Sequence, residues 1–151
     1  EEVTSADAIT ASEETTSTEE AETPEAETSE AGAAGEDPAL AGLPAEVSTA
    51  MAAADPVRGQ QLTLSNACIA CHNTDPSVVM VGPTWRNVGT TAATRVAGMS
   101  SAAYLYNSIV HPNDFVVPNY PAGTMLQIYG TLPPQDLADI ISYLLTLQEQ
   151  P

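Results

Sequence analysis

The chain has 151 residues, a formal charge of −17 at pH 7, and three basic residues, all of them arginine. Without a basic patch to neutralise phosphates, nucleic-acid binding is not expected. No run of 18 or more apolar residues is present, so the chain as given should hold no membrane-spanning helix. The charge is unevenly placed: residues 1–46 hold 14 of the 20 acidic residues and no Lys or Arg, whereas the rest holds six acids and all three arginines. The first segment is Glu, Thr, Ser and Ala with almost no large apolar side chain, and Glu20-Ala21-Glu22-Thr23 recurs as Glu25-Ala26-Glu27-Thr28. Such a composition cannot bury enough surface to offset its ordering entropy. The expected organisation is therefore a disordered acidic arm over 1–46, either a tether or a solubilising tail, followed by a folded domain over 47–151.

In chain order, the first helix should begin at Asp55-Pro56, an N-cap followed by a proline at the first helical position, and run to about Ala67. It delivers Cys68-Ile69-Ala70-Cys71-His72, the C-x-x-C-H pattern of covalent haem attachment. Each residue has a chemical task. The two thiols add across the two vinyl groups of the porphyrin, the two-residue spacer sets both sulfurs along one ring edge, and His72 can then bind the iron as proximal ligand. A thioredoxin-like dithiol would need a βαβ context that is missing before Cys68. A zinc site would need four ligands, and the chain has only two cysteines and two histidines. A middle helix should start at Ser100-Ser101 and stop before Pro112. The last helix should run from near Pro134 to about Leu147, with Leu137, Ile140, Ile141, Leu144 and Leu145 spaced i, i+3, i+4, i+7, i+8 as a buried face. Asp136 and Asp139 lie near its start, where the helix dipole favours negative charge. The fold class is all-α.

From about residue 52 to 148 the chain resembles the class I cytochrome c family. The residues that carry the likeness are Gly59 and Leu62 ahead of the haem motif, Gly82-Pro83 after it, Met125 between the middle and last helices, and Asp136 to Leu144 as the C-terminal helix. The resemblance implies a small helical domain around one covalent haem c held by Cys68 and Cys71, with His72 and Met125 as the axial iron ligands. It also implies a close crossing of the first and last helices at Gly59, beside Tyr143. Departures are Thr63 where an aromatic is common, Trp85 in place of the commoner leucine after Gly-Pro, and Pro133 instead of a Ser or Thr cap. The lysines that mitochondrial relatives use for docking are absent. The stretch from Tyr104 to Met125, with Pro112, Pro118 and Pro121, is similar to cytochromes of bacterial respiratory or photosynthetic membrane complexes, including the monohaem subunit of alternative complex III.

The resemblance implies a one-electron carrier rather than an enzyme. The competing class is a haem enzyme or gas sensor, which needs a labile sixth ligand. Met51 is read as lying before the fold, Met80 as a packing residue and Met99 as core or surface filler, and His111 as a helix-end histidine with sixth-ligand capacity. Trp85, Tyr104, Tyr106 and Tyr120 are candidates to line the haem crevice, and Arg86 or Arg95 to neutralise a propionate. Asp75 and Asp114 are read as solvated loop acids. Haem attachment to such motifs occurs outside the cytoplasm, so a removed signal peptide, anchor helix or lipidated cysteine is expected. The expected location is the periplasm or outer membrane face, with redox proteins of a membrane electron-transport chain as partners.

Overall fold

The structure, a computed structural model, describes residues 37–149. The described residues form five α-helices and two short 3-10 turns and contain no strand: α1 is Ala45–Met51, α2 Pro56–Ser65, α3 Val88–Arg95, α4 Ser101–Val110 and α5 Pro134–Thr146, with the 3-10 turns at Cys68–Ala70 and Tyr129–Thr131. The all-α expectation holds. The three anticipated helices are α2, α4 and α5; α1 and α3 were not anticipated.

Local chemistry sets the helix ends. The Asp55 carboxylate accepts from the N–H groups of Val57 (2.8 Å) and Arg58 (3.3 Å), and Pro56 opens the first turn. Ser100 caps α4 by accepting from the Ala103 N–H at 3.1 Å, and α4 stops at His111, one residue before Pro112. The first haem-side helix ends at Ser65 rather than at Ala67, because Ala67 adopts a left-handed conformation (φ 56°). That conformation costs a non-glycine residue of order 1–3 kcal/mol. It turns the chain sharply from the helix into the Cys68–Ala70 turn.

The centre of the domain is the crossing of α2 and α5. A Cβ on Gly59 would stand 1.9 Å from the Asp139 carbonyl oxygen and 2.9 Å from Tyr143 Cβ, so only a bare Cα lets the two backbones meet. The expected crossing is therefore present. Thr63, where the family often has an aromatic, is fully buried and donates its hydroxyl to the Gln60 carbonyl at 2.7 Å. Asp139 does more than face a helix dipole. It is 1 % exposed and accepts from the Asp55 N–H at 2.9 Å and the Gln135 amide at 2.8 Å. Arg58 pairs with both Asp139 and Asp136, so the start of α2 is clasped to α5. On the predicted apolar face of α5, Leu137, Ile140, Ile141 and Leu144 are all 4 % exposed or less, and Leu145 is half-buried. A second close approach joins α3 to the end of α5, where the Gly89 N–H donates to the Leu147 carbonyl at 2.9 Å and a Cβ would lie 2.5 Å from the Leu145 oxygen.

The N-terminal boundary of the domain differs from expectation. Residues 37–46, assigned to the arm, are folded onto the domain, and α1 begins at Ala45. Val47 is 1 % exposed, and Leu40, Leu43 and Met51 pack against the same core. Met51, expected to precede the fold, is part of it. The Ser100 hydroxyl donates to the Ala41 carbonyl at 2.8 Å, tying the segment to the start of α4. The physical reason is local: residues 37–51 contain Leu40, Leu43, Val47 and Met51, enough apolar surface to offset ordering, although the average composition of 1–46 is polar. Residues 1–36 of the expected arm lie outside the described residues. No helix among the described residues is long and apolar enough to cross a membrane.

Candidate functional site

The turn after α2 builds one wall of a cavity. The N–H groups of Cys71 and His72 both reach the Cys68 carbonyl, at 3.2 and 3.1 Å. This tight turn presents Cys68, Cys71 and His72 to the same cavity, which measures about 510 Å³. Cys68 is half-buried and Cys71 exposed, and the two are not joined to each other by a disulfide. Among the described residues, no three His, Cys, Asp or Glu side chains gather closely enough to share a metal ion, so the motif is not arranged as a chelating cluster.

His72 is prepared as a neutral base. Its Nδ1 lies 2.7 Å from the Pro83 carbonyl oxygen. A carbonyl only accepts, so Nδ1 carries the proton and Nε2 keeps its lone pair. Burial lowers the His72 pKa, against the opposing pull of that carbonyl, which keeps the imidazole uncharged at neutral pH. Gly82 makes the arrangement possible. Its N–H donates to the Cys71 carbonyl at 2.9 Å, and a Cβ there would stand 2.6 Å from His72 Cε1. Trp85 stacks on the imidazole with ring centroids 5.0 Å apart and planes 7° apart, and Tyr143 meets Trp85 edge-on at 6.5 Å.

Further lining of the cavity comes from α4 and the long connection to α5. Tyr104 and Phe115 form an edge-to-face pair at 5.8 Å. Pro112, Pro118 and Pro121 stiffen the connection, the Gly123 N–H closes it onto the Asn113 side chain at 2.7 Å, and Asn119 and Gly123 turn it through positive φ. Met125 emerges on the cavity wall, half-buried. Of the four methionines, all within the described residues, the other three do not line this cavity: Met51 packs in the core and Met99 borders a shallow groove elsewhere. His111 is exposed, away from the cavity, with Nδ1 3.5 Å from the Gln127 amide.

Among the other candidates, Trp85, Tyr104 and Tyr120 line the cavity, whereas Tyr106 lies on the far side of α4. Arg95 borders it, the one Arg, Asp or Glu among the described residues that does; Arg86 does not reach it. Asp75 is an exposed loop acid, held below the usual carboxylate range chiefly by the Ser77 hydroxyl at 2.7 Å. Two residues escaped the sequence reading. Phe115 was not weighed at all. Tyr129 lines the cavity and donates its hydroxyl to the Asn66 carbonyl at 3.1 Å, bracing the end of α2 from the far side of the chain. Its position just before the last helix offered no periodic signal.

Two thiols, a bare imidazole nitrogen, a thioether and an apolar chamber of that size fit a haem, which is larger and flatter than most ligands of pockets of roughly 300–1,000 Å³. A helical domain closing over such a chamber, with C-x-x-C-H on its wall, defines a c-type haem protein. The family model for Cytochrome c matches residues 56–148, and the chain belongs to the cytochrome c family. No curated protein and no solved structure gives a significant match. Membership implies covalent haem c and haem-based electron transfer, so the chain is an electron carrier rather than an enzyme.

Proposed function

We propose that the chain carries a single haem, bonded through Cys68 and Cys71 and ligated by His72 and Met125, and moves electrons one at a time within a membrane-associated chain outside the cytoplasm. The observation that carries the ligand assignment is the placement of His72 and Met125 on one cavity, with Nδ1 of His72 committed to Pro83 and Nε2 free. The haem supplies one-electron exchange between ferrous and ferric iron. The Pro83 carbonyl keeps the imidazole in the tautomer that can bind metal, and raises its donor strength. Met125 offers a thioether, which closes the sixth position and holds the potential above that of a second imidazole. The side chains of α4 and α5 exclude water, so gain of charge in the chamber is disfavoured.

The partners we propose are redox proteins of a membrane electron-transport chain: a complex subunit, an oxidase or a photosynthetic donor site. The similarity of the Tyr104 to Met125 stretch to membrane-complex cytochromes supports this, as does an acidic N-terminal segment suited to tethering; copurification with a membrane oxidoreductase is its test.

The ligand assignment is tested on purified holoprotein. The haem should survive acid–acetone extraction, with one haem per chain. Met125→Ala should keep it attached, lower the potential and open the iron to carbon monoxide, while His111→Ala changes nothing. If His111→Ala opens the iron and Met125→Ala does not, the distal ligand is wrong. If wild-type protein binds carbon monoxide readily, the labile-ligand class is favoured instead.

A further inference from the structure

We propose that Trp85 is a positioning residue that sets the plane of the His72 imidazole; this rests on His72 being the iron ligand. One hydrogen bond, from Nδ1 to the Pro83 oxygen at 2.7 Å, fixes a point of the ring and its tautomer. Because the angular preference of a hydrogen bond is broad, χ1 and χ2 can still readjust and tilt the ring plane while that bond is kept. A flat neighbour lying face-on removes that freedom, because any swing drives ring atoms into it. Trp85 is such a neighbour, parallel to the imidazole within 7° at 5.0 Å.

The indole is itself held. The backbone that carries it is pinned on both sides: the Trp85 main-chain N–H donates to the Asn73 carbonyl at 2.6 Å, and the Trp85 carbonyl accepts from the Val88 N–H at 3.0 Å. Tyr143 packs against the indole edge at 6.5 Å and 80°. Tyr143 belongs to the same α5 surface that Gly59 brings against α2. The imidazole plane is thus referred through two aromatic rings to the central helix crossing. A leucine at this place, the commoner residue in the family the chain resembles, would fill volume without offering a face. Trp85 is only half-buried, so filling the core is not a sufficient reason for an indole.

The test is the proton NMR spectrum of ferric holoprotein, in which the order and spread of the shifted haem methyl resonances follow the direction of the ligand plane. Trp85→Phe keeps a face and should retain the wild-type order. Trp85→Leu should change the order or split the resonances into more than one set, with the iron still low-spin; Trp85→Met is the second aliphatic variant where leucine prevents folding. Wild-type resonances in the aliphatic variants, even with a lowered Tm, would reduce Trp85 to packing. Equal disturbance by phenylalanine and leucine would also overturn the proposal. His72→Ala separates the underlying reading: if it leaves the wild-type low-spin spectrum, His72 is not the ligand, whatever the Trp85 variants do.

Discussion

Replacing Gly59 with alanine sets two effects of opposite sign against each other. In an exposed helix interior the change stabilises by about 1 kcal/mol, since alanine loses less backbone freedom. Here the added methyl would stand 1.9 Å from the Asp139 oxygen and 2.5 Å from its carbonyl carbon, against an ordinary contact of 3.4 Å. The obstruction is backbone and cannot rotate aside, so α2 and α5 must separate by about 1.5 Å (3.4 less 1.9). Overpacking of this kind costs about 3 kcal/mol, the upper part of its usual range. The net is a loss of roughly 2 kcal/mol, or roughly 8–16 °C in Tm for a domain of about this size. Separation also strains the hydrogen bond from the Asp55 N–H to Asp139, so the loss should not be recovered by repacking. Thermal unfolding of Gly59→Ala holoprotein by circular dichroism measures it. Gly130→Ala serves as control, because its methyl would meet only the end of the Val110 side chain, at 3.2 Å. A Gly59→Ala Tm at or above wild type would refute the reasoning, since propensity would then outweigh the crossing.

Val47→Ala removes two buried methyl groups from the segment ahead of the family match and should cost about 2 kcal/mol; chemical denaturation showing no loss would mean that α1 is not part of the cooperative core. Burial alone would raise the Asp139 pKa, but the Asp55 N–H, the Gln135 amide and Arg58 outweigh it and hold the carboxyl below its ordinary 3.8. The unfolded chain therefore binds more protons in that window. The stabilisation is complete above about pH 4 and fades as pH falls through the lower folded value. Asp139→Asn should accordingly be less stable at neutral pH and show a flatter fall of Tm below pH 4; parallel curves for the two proteins would count against the clasp.

The haem motif was legible in the sequence because its chemistry is written in five consecutive residues, and α5 because its period is regular over thirteen. The crossing at Gly59 was legible only through family resemblance, since one glycine in a helix carries no direction of its own. Helices α1 and α3 were missed for different reasons. The seven residues of α1 sit at the edge of a polar, acidic stretch that dilutes their apolar content in any average. In α3, Val-Gly-Thr-Thr-Ala-Ala-Thr-Arg has low helix propensity and is held by tertiary contacts, including the Gly89 to Leu147 hydrogen bond. Tyr129 and Phe115 were hidden because loops have no period to read. Met125, in the same kind of loop, was singled out only through the family resemblance, and it lines the cavity.

Helix α4 has two working sides. Tyr104, Leu105, Ser108 and Ile109 face the haem chamber, while Ala103, Tyr106 and Asn107 face the segment that enters at residue 37. Around a helix these two sets are centred about half a turn apart. The segment from residue 37 to α1 is therefore fastened to the back of the domain, behind a rigid rod, and not to the loop that carries Met125. A displacement at that end would be taken up by Leu40, Leu43, Val47 and the Ser100 hydroxyl before it reached His72 or Met125. The side of α4 that anchors the incoming chain and the side that lines the chamber are thereby kept apart.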